Sequence, residues 1–243
     1  MHGSSGYPSA VQQQWRDPDF NISILFKYPH GNHVLLAVAC ICSIQLTFVW
    51  MFEVIFSHIQ EKVQLTKEEQ ALIKTFFTPK KLRKKQYLLQ EGDVCRYLVF
   101  VEKGLLRSYN VDEKGVEHMI HFAWEGWWMS DTYSFLSAEA SAYNIDAVED
   151  AELLMISLQG FEEMLLKVPA MERYFRILFQ NNIISKERRL ISSITHSAEE
   201  KYTQLAAANP HMIQRIPQNM IASYLGLTPE TLSRIRKKLS SGA

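Results

Sequence analysis

The stretch IPQNMIASYLGLTPETLSRIRKKL, Ile216 to Leu239, reads as two helices separated by a tight turn. Pro217, with a fixed φ and no N–H to donate, suits a first helical position. Met220, Ile221, Tyr224 and Leu225 supply the buried side of the helix that follows, and Ala222 is small enough for close helix approach. Gly226 ends that helix, Leu227 plugs the space after it, Thr228 is a strong N-cap, and Pro229 restarts helical geometry. At about 100° per residue, Thr228, Leu232, Ile235 and Leu239 share one face of the second helix, while Glu230, Ser233, Arg234 and Lys237 share the opposite one. The apolar side would anchor this helix to the first. The polar side offers donors and one acceptor to base edges, with Arg236 and Lys238 at the margins, in reach of phosphates. An ordinary amphipathic helix with a basic last turn would account for the charge. It would not account for helix, glycine turn, Thr-Pro cap and second helix in series. The expected DNA-contacting set is therefore Thr228, Glu230, Thr231, Ser233, Arg234, Arg236, Lys237 and Lys238.

Charge distribution agrees with that reading. The 243 residues are formally neutral, yet Lys201 to Ala243 carry six Lys/Arg against Glu230 alone, a net +5 gathered at one end. With 47% hydrophobic and 21% charged residues, the chain has the makeup of a globular protein rather than a disordered one. Three cysteines, Cys40, Cys42 and Cys95, are too few for a disulfide framework and one short of the usual ligand set of an iron–sulfur cluster. A reducing cytoplasm suits them best, and Cys40 and Cys42, in an apolar run, read as small buried hydrophobes. No nucleophile–base pairing or metal-ligand spacing stands out, so no catalytic residue, metal or cofactor is expected.

Upstream of the two helices, Ser197 and Glu200 form a capping box for a helix ending near Asn209 and Pro210. From Pro169 to Ile194 the period is helical over a long span. Ile177, Ile184 and Ile191 recur every seven residues, with Tyr174, Asn181 and Arg188 at complementary heptad positions, and Leu178, Phe179, Ile183 and Leu190 form a second stripe. Two stripes suggest one packed on the rest of the subunit and one on a second copy, with Asn181 setting register; a helix wholly buried in one subunit is the alternative. Between Gln86 and Ile156 the pattern is one of short strands: Gln86–Leu89, Arg96–Glu102, Leu105–Tyr109, Glu117–Phe122, Tyr143–Val148 and Ala151–Ile156. Gly92, Gly104, Gly115 and Gly126 recur between them as turns, the signature of a small antiparallel barrel or sandwich. His118 and His121, three apart on an alternating strand, should face opposite ways and make a poor metal pair. Thr66 with Glu69 caps a helix that Pro79 should stop.

The first fifty residues differ. Met1 to His33 lacks periodicity, and Val34 to Phe52 is an uncharged apolar run of transmembrane length. Three readings stand: a translation start at Met51, a membrane anchor, or a buried or partner-bound helix. A role at the membrane is the less expected.

With a β module, a long helix and a terminal helix-turn-helix in that order, the chain resembles the Crp/Fnr family of bacterial transcription regulators. The resemblance runs from about Met51 to Leu239. EGDVCRYLVFVEKGLLRSYNVDEKGVE (Glu91 to Glu117) looks like the family's β-roll, and LGLTPETLSRIRKKL (Leu225 to Leu239) like its recognition helix. It implies an α+β fold with this organisation: residues 1–50 an atypical extension, 51–160 a β-roll resembling cyclic-nucleotide-binding domains, 161–195 a dimerisation helix, and 196–243 the helix-turn-helix domain. It implies a homodimer on double-stranded DNA, with Glu230 and Arg234 where the family reads bases; Pro229 stands where many members carry an arginine. Cyclic-nucleotide binders of the family hold the ligand with a Gly-Glu and an Arg-Ser pair on either side of a short helix. Here Ser130-Asp131 and Ser141-Ala142 stand at those places, with no Lys or Arg between Lys114 and Lys167. Cyclic AMP is therefore not expected. The cysteines of oxygen-sensing members are absent near the start of the domain. Trp128, Ser130, Asp131, Phe135, Ser141 and Tyr143 are candidates for the pocket of an unidentified small-molecule effector, although aromatic residues in a small barrel more often fill its core. A rival reading makes the chain a ligand- or membrane-associated sensor whose helix-turn-helix serves protein interaction.

Overall fold

The computed structural model describes residues 52–241. Met51 and all of the apolar Val34 to Phe52 run except its last residue lie outside them. Phe52 itself is buried, its ring centroid 6.0 Å from that of Phe56 and 6.3 Å from that of Phe77. Helix α1 (Glu53–Gln60) has no cap from its own preceding residue; the Glu102 carboxylate accepts the N–H groups of Val54 (3.1 Å) and Ile55 (2.9 Å) instead. Those are first-turn donors with no intrahelical partner. Helix α2 (Lys67–Lys74) opens on the expected capping box, with Glu69 N–H 3.2 Å from Thr66 Oγ1 and Thr66 N–H 2.8 Å from the Glu69 carboxylate. It ends before Pro79, which is not its stop signal. Pro79 belongs to a strand missed in the sequence, β1 (Thr78–Leu82), at a sheet edge where a residue without an N–H is tolerated.

The remaining strands are β2 (Tyr87–Leu89), β3 (Tyr97–Lys103), β4 (Leu106–Val111), β5 (Glu117–Ala123), β6 (Trp128–Met129), β7 (Asn144–Ala147) and β8 (Ala151–Ser157). They form two antiparallel sheets, β1-β8-β3-β6 and β2-β7-β4-β5, with a core between them that includes Val99, Val101, Leu106, Ala123, Ile145 and Leu153. Gly104 has φ +99 between β3 and β4, and a Cβ there would lie 2.5 Å from the Asp150 carbonyl oxygen; only glycine lets the two turns meet.

A bulge overturns the expected separation of the two histidines. Ser108 pairs with His121 but Tyr109 pairs with Met119, leaving Ile120 as the extra residue. One extra residue reverses the alternation. Met119 and Phe122, three apart, are therefore both buried in the same cluster, and His118 and His121 turn to the other side together. They still do not meet a third ligand: among the described residues no group of three metal-ligating side chains occurs.

Helix α3 (Thr132–Ser137) interrupts the strands, and α4 (Leu158–Lys167) follows them. Pro169 then opens α5 (Pro169–Thr195), so the stretch from 161 to 195 is two helices divided at Val168. Met171, Tyr174 and Phe175 of α5 are buried against the β-roll, whereas Phe179, Ile183, Ile184, Leu190, Ile191 and Ile194 are exposed. The two stripes thus divide along the length of the helix more than around it. Its covered first half carries Tyr174, whose hydroxyl meets His58 Nδ1 at 2.7 Å and accepts from Trp128 Nε1 at 3.0 Å. Among the described residues no helix is long and apolar enough to cross a membrane.

Candidate nucleic-acid interface

Four helices complete the chain: α6 (Ala198–Ala208), α7 (Pro210–Arg215), α8 (Gln218–Leu225) and α9 (Pro229–Ser240). Ser197 and Glu200 make the capping box of α6, with Glu200 N–H 3.3 Å from Ser197 Oγ and Ser197 N–H 2.8 Å from the Glu200 carboxylate. Pro217 is the residue before α8 rather than its first. Gly226 closes α8 with φ +68, a left-handed conformation that the Leu227 N–H uses to reach the Ala222 carbonyl at 2.8 Å. Thr228 caps α9 by accepting the Thr231 N–H at 3.2 Å, and Pro229 takes the first helical position.

Leu232 and Ile235 of α9 are buried with Ile221 and Ala222 of α8, Tyr202 of α6 and Met212 of α7. Leu239, expected on that inner face, is 42% exposed, because the last turn extends beyond the packed cluster. On the outer face Glu230, Ser233, Arg234 and Lys237 are all exposed, as is Arg236. Hydrogen bonds from its own backbone N–H and the Thr228 hydroxyl, with Arg234 close by, hold the Glu230 carboxyl below the usual carboxylate range, so this acceptor is ionised at neutral pH. Thr231 is turned into the cap, its hydroxyl 3.1 Å from that of Thr228, and is only half exposed. Lys238 is drawn aside to α6, where its Nζ meets the Glu199 carboxylate at 2.8 Å. All of the eight expected side chains except Thr231 thus lie exposed on or around one helix, and of the exposed seven Lys238 is engaged in an ion pair.

How this module is attached was not legible in any motif. Its helices cover the outer face of the β2-β7-β4-β5 sheet, where Leu105, Tyr109, Met119, Phe122 and Val148 share one cluster with Met212, Ile216 and Ile221. Ser223 of α8 accepts the Met119 N–H at 3.0 Å and donates to the Glu117 carbonyl at 2.8 Å. Arg189 of α5 lies 3.9 Å from the Tyr224 ring centroid and donates to the carbonyls of Tyr224 (3.2 Å) and Ile120. Arg189 and Ser223 carry no motif; only proximity identifies them.

At the other candidate site, the polar groups are engaged with one another. Asp131 is buried and caps α3, accepting the Ser134 N–H at 3.2 Å and the Ser141 hydroxyl at 2.8 Å. Tyr143 Oη donates to the Ser130 carbonyl at 3.3 Å. Trp128 packs 5.2 Å from Phe100 and 5.1 Å from Phe175, and Phe135 packs 6.3 Å from Phe161, so both aromatics belong to the core. The one buried cation of the β2-β7-β4-β5 sheet among the described residues, Arg107, is bound by Asp146 at 2.8 and 2.9 Å and by Glu117 at 2.5 and 3.2 Å.

Residues 79–167, from β1 through α4, match the model of the cyclic nucleotide-binding domain. Among curated relatives, the regulatory protein HlyX of Actinobacillus pleuropneumoniae is 27% identical over 173 residues, 64% of this chain and 69% of that protein. The fumarate and nitrate reduction regulatory protein of Vibrio cholerae is 24% identical over 169 residues, covering 64% and 66%. The chain therefore spans about two thirds of the length of these relatives. Among solved structures, FixK2 from Bradyrhizobium japonicum superposes with a TM-score of 0.58 at 19% identity, over 68% of this chain and 85% of that one. A CooA variant from Carboxydothermus hydrogenoformans gives 0.55 at 14% identity, over 70% and 79%. At such identities these two show the fold alone; the named regulators and the matching domain show that the chain is similar to transcription regulators of the Crp/Fnr family.

Proposed function

We propose that this chain is a dimeric, non-enzymatic regulator that binds duplex DNA in a sequence-specific way, with α9 in the major groove. The observation that carries the proposal is the two-sidedness of α9. Leu232 and Ile235 lock one side into a core, while Glu230, Ser233, Arg234 and Lys237 are exposed on the other. Arginine pairs bidentately with guanine and glutamate accepts from cytosine, so Arg234 and Glu230 read neighbouring base pairs. Arg236, at the margin, contacts phosphate, and Lys238 does so once released from Glu199.

The exposed apolar half of α5, from Phe179 to Ile194, supplies the dimer contact, with Asn181 in its register. Residues 51–160 act as a sensor-like domain, 161–195 carry the dimer contact, and 196–243 bind DNA in the cytoplasm. Ser141 stands where cyclic-nucleotide binders of the family carry an arginine, and its hydroxyl is spent on Asp131 at 2.8 Å, which supports an effector of another class.

Selection of bound sequences from a random duplex pool, followed by affinity measurement across salt concentrations, tests this. A recovered two-half-site consensus, with affinity falling steeply as salt rises, is the expected result. A full chain that binds no duplex would favour a protein-interaction role for α8 and α9.

A further inference from the structure

Polar attachments ring the apolar contact between the helix-turn-helix and the β-roll. Arg215, the last residue of α7, donates Nε and Nη2 to the Glu149 carboxylate at 3.2 and 2.6 Å. It donates Nη1 and Nη2 to the Glu125 carboxylate at 2.7 and 3.1 Å. Both acceptors are tied to the Gly104–Leu105 turn: the Gly104 N–H donates to Glu125 at 2.8 Å, and the Glu149 N–H reaches the Leu105 carbonyl at 3.4 Å. Burial would raise the Glu125 carboxyl, but hydrogen bonds from Arg215 and Gly104 hold it below its ordinary range, so the pair stays charged. Isolated exposed ion pairs contribute little. A planar fork gripping two anchored carboxylates is a different case, because geometry as well as charge is satisfied.

The internal packing of the helix-turn-helix, Ile221 and Ala222 against Leu232 and Ile235, does not involve Arg215. What Arg215 constrains is the placement of that module on its own β-roll, and so on α5. None of Arg215, Ser223 and Arg189 lies on the exposed face of α9, which stays open while the module is docked. Two half-sites lie a helical turn apart, so a dimer binds both only if its recognition helices are held at matching separation and tilt. Presetting that geometry removes ordering cost from the binding step.

We propose that Arg215 is a positioning residue for DNA recognition: by clamping α7 to Glu125 and Glu149 of the β-roll, it sets the placement of α9 for simultaneous reading of two half-sites. This rests on the DNA-binding dimer reading above.

The full chain and its Arg215→Ala and Arg215→Lys variants would be compared on duplexes with two half-sites and with one half-site scrambled. Amide exchange in β5 and α8 would be followed without DNA. Arg215→Ala is expected to lose roughly tenfold in two-half-site affinity, keep its single-half-site affinity, and exchange faster at Met119 and through α8. Arg215→Lys, which keeps the charge but not the fork, should fall between. Unchanged exchange, or unchanged or tighter two-half-site binding, overturns the proposal; equal losses on both duplexes do so too, since that is what a folding defect gives. If Arg215→Ala does not fold, Glu149→Gln is read in the same way. Failure of the unaltered protein to bind any duplex would overturn the DNA-binding reading instead, and the exchange comparison would still decide whether Arg215 clamps.

Discussion

The Ser223 hydroxyl oxygen lies 3.0 Å from the Met119 backbone nitrogen, joining the first helix of the helix-turn-helix to the edge strand of the β-roll. Among the described residues β5 is the outer strand of its sheet, so its far side has backbone groups with no described strand to pair with. One hydroxyl serves two of them, accepting from Met119 and donating to Glu117.

Ser223→Ala should therefore destabilise the protein by about 0.5–1.5 kcal/mol, the net worth of an ordinary hydrogen bond, because the Met119 N–H is only part-buried and the Glu117 carbonyl can turn to water. Urea unfolding would measure the loss. If stability and Met119 amide exchange both stayed at the level of the unaltered protein, water must replace the hydroxyl without cost.

On α9, position decides the type of defect. Arg234→Ala should lower affinity for the preferred site by roughly 1–3 kcal/mol and relax preference at one base pair per half-site. Arg236→Ala, at the margin of that face, should weaken binding to all sequences alike and flatten the salt dependence. Lys238→Ala should do so less, because Lys238 is already paired with Glu199. Competition binding separates the three, and an unchanged sequence preference for Arg234→Ala would remove α9 from the groove.

Charge placed on the exposed stripe of α5 should separate the subunits. Ile184→Glu and Ile191→Glu both lie in the uncovered half, so each should leave secondary structure intact while shifting sedimentation to a monomer. A dimer that persisted in both variants would place the contact elsewhere.

Glu102 makes stability fall as pH rises. Burial pushes its carboxyl up to about 7, against the lowering effect of the Ile55 and Val54 N–H groups. A folded-state value above the unfolded one means the native protein holds the extra proton, so this contribution is complete below about 4.5 and lost as pH passes through about 7. Glu102→Gln should abolish that slope, on the order of 1–3 kcal/mol between pH 5 and 8. Parallel stability–pH curves for the two proteins would show that Glu102 does not titrate in this range.

Cyclic AMP and cyclic GMP should give no binding heat in calorimetry. Asp131, held by Ser134 and Ser141, would repel the phosphate, and Arg107 is committed to Asp146 and Glu117. Micromolar affinity for either nucleotide would require that network to open.

Local patterns were legible in the sequence wherever one residue type has one physical use. Thr66 and Ser197 with their glutamates, Gly226 as a left-handed terminus, and Thr228 before Pro229 all marked helix ends that the structure contains. Alternation located six of the eight strands, missing β1, whose KKL run is charged, and β6, which is two residues long. The division of α9 into apolar and polar faces followed from helical period alone, except at Leu239.

Tertiary structure decided what depends on neighbours distant in the chain. The bulge at Ile120 exists only against Ser108 and Tyr109, and it turned His118 and His121 to the same side. Lys238 looks like any basic helix residue until α6 brings Glu199 to it. Arg215 is separated from Glu125 and Glu149 by the whole of α5, and no periodicity links them. Hydrogen-bond geometry and helical period act over a few residues and so are written into local sequence, whereas pairing across a folded interface depends on where the chain returns. That return placed α9.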